Sequence, residues 1–162
     1  MKTTGKRFEE NFKKSIPKNI FYYRLKDNSN IWSKGTKTRF TPNNICDCFL
    51  FDGDYLYLLE LKSTKGKSLP FHNIKQHQID DLMWASNYAN VVSGFLIDFS
   101  ELDECYFIEI SCFYEFYTTT KRKSLGIDFC RNNGIKIGVN RLKINKKYNV
   151  KEMINKIVKE VI

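Results

Sequence analysis

ICDCFLFDGDYLYLLELK, residues 45–62, decides how this chain is read. Two apolar runs, Ile45–Phe51 and Tyr55–Lys62, flank Asp52-Gly53-Asp54, and strands joined by a turn of this composition form a β-hairpin. A two-residue Gly53-Asp54 loop sets Asp47 opposite Glu60, with Cβ atoms about 5 Å apart on one face. An Asp52-Gly53 loop sets Glu60 against Ile45 and leaves Asp47 diagonal to it, still on that face. Lys62 shares the face two residues on. Ile45, Phe49, Phe51, Leu56 and Leu58 lie beside these charges, and Cys46, Cys48, Leu50, Tyr57, Leu59 and Leu61 make up the other face. Both faces are apolar, as in strands covered on two sides. Burying two carboxylates and an ammonium there costs several kcal/mol each unless they are compensated. A divalent cation compensates both carboxylates at once, and Mg²⁺ prefers hard oxygen donors of this kind. The plainer reading is a buried carboxylate–lysine ion pair with no chemistry attached.

Working outward, Thr4–Ser15 has the apolar spacing of a helix (Phe8, Phe12, Ile16), with Thr3 or Thr4 as its cap and Pro17 as its stop. Glu9 borders that stripe and Glu10 points further out, so Glu9 is the candidate carboxylate from this helix. Ile20–Leu25 reads as a strand, and the polar stretch 26–44 as a loop. Ile74–Ala89 reads as a helix capped by Asn73, with Gln78 inside the stripe Ile74, Leu82, Ala85 and Ala89. A buried amide without a partner is costly, so Gln78 either bonds local backbone or serves a site. Val91–Phe99 and Tyr106–Ile110 read as strands, Phe113–Thr118 as helical and Gly134–Lys146 as strand and loop. Val150–Ile162 reads as a helix capped by Asn149. The order is that of an α/β fold, a mixed sheet with helices around it.

The 162 residues fit a single domain, 1–162. With 42% hydrophobic and 15% aromatic residues the chain can bury a core, which excludes a disordered basic tail. No apolar run reaches the roughly 18–20 residues that span a bilayer, and the first residues lack the apolar segment of a secretory signal. No membrane partner and a cytoplasmic location are expected. The odd count of five cysteines, without a CxxC pair, favours reduced thiols over a zinc site or disulfide framework. The net charge of +9 is unevenly spread. Residues 1–75 carry 15 basic and 7 acidic side chains, 76–120 carry none and 8, and 121–162 carry 12 and 3. Basic blocks on a folded domain point to a polyanion such as nucleic acid.

Asp47 followed by Glu60-Leu61-Lys62 resembles the motif of the PD-(D/E)XK nuclease superfamily. The run Lys67-Ser68-Leu69-Pro70-Phe71, His72-Asn73-Ile74 and His77-Gln78-Ile79 is similar to that of the RecU-like Holliday-junction resolvases, of a shortened phage or prophage type. The resemblance implies a restriction-endonuclease-like core. It implies a Mg²⁺-dependent endonuclease, with Mn²⁺ able to substitute, acting on four-way junctions and other branched DNA as a homodimer. Asp47, Glu60 and Gln78 become the metal residues. Asp47, Glu60, Lys62 and Glu9 become the catalytic set. Lys34, Lys37, Arg39, Lys65, Lys67, Lys121, Arg122 and Lys123 are the candidate DNA contacts. Other nucleases on this core and a non-catalytic DNA-binding relative are the alternatives. Three features depart from the family: Cys46 stands where Pro usually precedes the acidic residue, a common relaxation in the superfamily, Ile45 stands where a hydroxylated residue is usual, and the stretch before Asp47 is short for the family's stalk.

Overall fold

A computed structural model describes residues 3–25 and 43–162. Helix α1 spans Thr4–Ser15 and is capped by Thr3, whose hydroxyl accepts from the Lys6 N–H. Strands β1 (Phe21–Arg24), β2 (Cys48–Phe51) and β3 (Leu56–Thr64) then run antiparallel in turn. A short strand β4 (Ser68–Pro70) leads into helix α2 (Gln76–Ala85), and β5 (Val91–Phe99) returns parallel to β3. Strand β6 (Glu104–Glu109) runs straight into α3 (Ile110–Thr119), followed by β7 (Ser124–Gly126), α4 (Ile127–Asn133) and β8 (Ile135–Ile137). The hairpin β9 (Val139–Arg141) and β10 (Lys146–Tyr148) precedes α5 (Val150–Glu160).

Six strands form one mixed sheet in the order β1-β2-β3-β5-β6-β8. On one face the β9–β10 hairpin, α1 and α5 cover Leu50, Tyr57, Leu59, Leu96 and Phe107. On the other face α2, α3 and α4 cover Leu58, Phe95, Ile97 and Ile108. Strands β3, β5 and β6 are thus buried on both faces, which explains their near-continuous apolar character. Gly94 is required where β5 meets β6: a β-carbon there would collide with the Ile108 carbonyl oxygen and the Phe107 ring.

The hairpin turn falls at Gly53-Asp54, with Phe51 paired to Leu56 and Cys48 to Leu59. Gly53 has φ +112°, a conformation side chains rarely tolerate. Asp52 Oδ1 accepts from the N–H groups of Asp54 (2.9 Å) and Tyr55 (2.8 Å), which locks the turn.

Several local expectations are corrected. Strand β2 begins at Cys48 rather than Ile45. Its ladder breaks where both Asp47 and Cys48 lie against Leu59: the Asp47 N–H donates to the Leu59 carbonyl (3.2 Å), while Cys48 is Leu59's cross-strand partner. Two residues against one act as a β-bulge does, re-aiming the chain. Cys46 therefore packs among the α2-side residues, while Cys48 stays on the α1 side. Helix α2 starts two residues later than read, with Lys75 rather than Asn73 at its N-cap and a short 3₁₀ turn over Phe71–Asn73 before it. It stops at Ala85, leaving Ala89 exposed. Helix α4 and the β4–β7 ribbon carry too few residues for a periodic signal. All five cysteines are free thiols.

Candidate active site

The bulge places the Asp47 carboxylate at the edge of the broken ladder, where Oδ2 accepts the Leu61 N–H at 2.7 Å. Glu60, in the middle of β3, is 3% exposed. Its Oε1 lies 3.0 Å from Lys62 Nζ and also accepts from Gln78 Nε2. Lys62 Nζ in turn donates to Gln78 Oε1 at 3.1 Å. Glu60, Lys62 and Gln78 thus close a triangle of hydrogen bonds over the α2 face of the sheet. Gln78 reaches it because it sits in the first turn of α2, where its Oε1 also accepts the Lys75 N–H at 3.0 Å and caps the helix. The amide does both things that the sequence left open: it bonds local backbone and joins the carboxylate cluster.

Burial raises Glu60 from 4.5 to about 7, and the neighbouring Asp47 charge pushes the same way, against the pull of Lys62. The donors within reach are hard oxygens, which fits a divalent ion such as Mg²⁺. Among the described residues no group of three or more His, Cys, Asp or Glu side chains forms a metal cluster. Among the described residues, the Gln78 amide lies against the same cluster and offers an oxygen beside the two carboxylates.

Glu9 comes from α1. Its Oε2 is held by Arg24 of β1, at 2.6 Å from Nη2 and 2.8 Å from Nε. Arg24 pairs across the ladder with Cys48, the neighbour of Asp47. Arg24 carries no local signal in the sequence: an arginine at the end of a short strand reads as an ordinary surface cation. Ile45 is half-buried against the α2-side core and offers no side-chain oxygen.

Lys65 and Lys67 lie exposed in the turn after β3, and Lys121, Arg122 and Lys123 are exposed between α3 and β7. The antiparallel β4–β7 ribbon links these two groups. The Lys67 carbonyl accepts from Ile127 at one end, and the Lys123 carbonyl accepts from Phe71 at the other. Lys67 and Lys123 therefore stand four residue steps apart along the ribbon and one strand spacing across it, about 14 Å between backbones. Lys34, Lys37 and Arg39 lie outside the described residues.

The family profile described as recombination protein U matches residues 2–155. The chain belongs to the recombination protein U family. Among its relatives is the SPbeta prophage-derived protein YotM of Bacillus subtilis, 32% identical over 96% of this chain and 87% of YotM. The Holliday junction resolvase RecU of Staphylococcus aureus is 35% identical over 60% of this chain and 48% of its own length. The chain thus aligns with about half of that resolvase. A solved structure, the Holliday junction resolvase Hjc of Archaeoglobus fulgidus, superposes with a TM-score of 0.49 at 10% identity, covering 73% of this chain and 83% of Hjc. No helix among the described residues is long and apolar enough to cross a membrane.

Proposed function

We propose that this RecU-family chain is a metal-dependent, structure-selective endonuclease that resolves four-way DNA junctions. The observation that carries the reading is the meeting of Asp47 and Glu60 around a buried point, with Glu60 raised to about 7 and Lys62 bound to the same carboxylate. Family membership and the activity named for the S. aureus relative support the choice of substrate.

Asp47, Glu60 and the amide of Gln78 would hold Mg²⁺, with Mn²⁺ able to replace it. When bound, the ion supplies polarisation of the phosphodiester and a lowered pKa for the attacking water. Lys62 would then carry the charge that develops on the scissile phosphate. Lys62 is well placed for this, because Gln78 and Glu60 hold its ammonium at the rim of the cluster. Glu9, oriented by Arg24, would add a carboxylate from α1. Lys65, Lys67, Lys121, Arg122 and Lys123 would contact phosphates without reading bases, and Lys34, Lys37 and Arg39 would extend these contacts.

Symmetric nicks across a junction require two active sites, hence a homodimer. An exposed aromatic patch at the sheet edge supports self-association: Phe21 (59% exposed) stands opposite Phe51 (42%), with Tyr23 (49%) beside them.

The test compares four-way junction, flap and linear duplex side by side, with and without Mg²⁺. The expected result is metal-dependent, paired nicking of the junction, lost in Asp47→Ala and Lys62→Ala while binding is retained. A preference for linear duplex would indicate another endonuclease on the same core. No cleavage of any DNA with Mg²⁺ or Mn²⁺ at low salt would leave a non-catalytic DNA-binding protein.

A further inference from the structure

A cleft of about 460 Å³ opens beyond the end of β3, on the α1 side of the sheet. It lies between α1, the turn after β3, the end of β5 and the β9–β10 hairpin. Its floor is polar: Asn11 is 4% exposed, and Asp98 is 2% exposed. Asp98 is already answered, since its Oδ1 meets Lys146 Nζ at 3.3 Å and accepts from the Tyr148 hydroxyl at 3.2 Å. Arg141 and Lys146 are engaged too, both paired with Asp103 (3.0 and 3.1 Å).

Three further cations line the same cleft: Arg7 on α1, Lys65 after β3 and Lys143 at the hairpin tip. All three are exposed and none has an ion pair among the described residues. Against them the rim carries one uncommitted acid, Glu101. Flanking Lys143 are Leu142 (55% exposed) and Ile144 (79% exposed), apolar side chains turned to solvent. Three cations on three separate elements along an open cleft match a chain of phosphates better than a single ion. The apolar hairpin tip matches a ligand with apolar faces between its charges, which sugars and bases supply. Lys65 is three residues beyond Lys62, at most about 11 Å along the backbone, or about three base pairs of duplex axis.

We infer that this cleft is a second nucleic-acid site, in which Arg7, Lys65 and Lys143 grip the backbone of a DNA arm leading away from the Asp47–Glu60 centre. The inference rests on the endonuclease reading and extends it to surfaces that the sequence motif does not include.

The test measures junction binding by fluorescence anisotropy in metal-free buffer at several salt concentrations, for the wild-type chain and for the triple variant Arg7→Gln, Lys65→Gln, Lys143→Gln. The expected result is a salt slope smaller by about 0.9 for each cation removed, the signature of a lost duplex phosphate contact. It should be equal for junctions of different sequence. The same slope and affinity in a folded triple variant would overturn the inference and the Lys65 contact with it, while the Asp47–Glu60 endonuclease reading stands. No DNA binding by the wild type would overturn both. Lysine acetylation of the wild-type chain needs no variant. Protection of Lys65 and Lys143 by junction DNA supports the site. Protection by inorganic pyrophosphate but not DNA, or no protection at all, overturns it.

Discussion

The Asp47 carboxylate accepts the main-chain N–H of Leu61 at 2.7 Å, one residue past Glu60 on the facing strand. It takes that N–H at the point where β2 has stopped pairing, so a side chain replaces a ladder bond. The same geometry brings the Asp47 charge against Glu60. In the metal-free protein, Asp47→Asn removes that like charge. Glu60 should then titrate below about 7, while burial, the larger cause, keeps it above its ordinary 4.5. Carboxyl-carbon NMR of Glu60 checks this, and an unchanged midpoint would mean that Asp47 is electrostatically remote.

Gln78 joins three groups: Lys75 N–H, Lys62 Nζ and Glu60. Gln78→Ala should cost about 1 kcal/mol for the lost helix cap, and about 1–3 kcal/mol more for the hydrogen bonds that the buried Glu60–Lys62 pair loses. Urea unfolding measures the sum. A loss under about 0.5 kcal/mol would show that water replaces the amide without cost.

Lys146 lies against buried Asp98, with Ser63 Oγ and the Tyr148 hydroxyl completing the carboxylate's partners. Lys146→Met strands a buried carboxylate and should cost about 3–5 kcal/mol at neutral pH. Burial raises the Asp98 pKa even with Lys146 nearby. A raised carboxyl contributes stability that is present below its unfolded value of 3.8 and lost as pH rises through the folded value. Without Lys146 the folded value rises further, so the deficit of Lys146→Met should grow from pH 4 to pH 7. Adding Asp98→Asn should recover most of it. Denaturation midpoints across that range test both statements.

Arg131 grips Glu104 at 2.7 Å and holds its carboxyl down at about 2, assisted by the Tyr106 hydroxyl. A depressed carboxyl contributes stability that is present above its unfolded value of 4.5 and lost as pH falls towards 2. Glu104→Gln should therefore lower the melting temperature at pH 7 and have little effect near pH 2. Parallel melts at the two pH values decide it.

The hairpin that carries Asp47 and Glu60 was legible because its determinants are local. Alternation, the Gly53 turn and the Asp52 side chain act within a few residues, and they set the register from Phe51–Leu56 to Cys48–Leu59. The extents of α1 and β5 and the cap of α5 were legible for the same reason: periodicity and capping chemistry operate inside one segment. The bulge at Asp47 was not, since extending the alternation places Cys46 on the wrong face.

From its sequence alone, this protein has a mixed sheet, a hairpin that brings an aspartate near Glu60-Leu61-Lys62, and an uneven, basic charge. Tertiary structure decided which groups answer those charges. Gln78 reaches Glu60 because α2 packs beside β5, Arg24 reaches Glu9 because α1 crosses the sheet, and Lys146 reaches Asp98 from 48 residues away. Each of these pairings links segments far apart in the chain. Only packing of both layers onto one sheet brings them within the few ångströms at which charge and hydrogen bonding act.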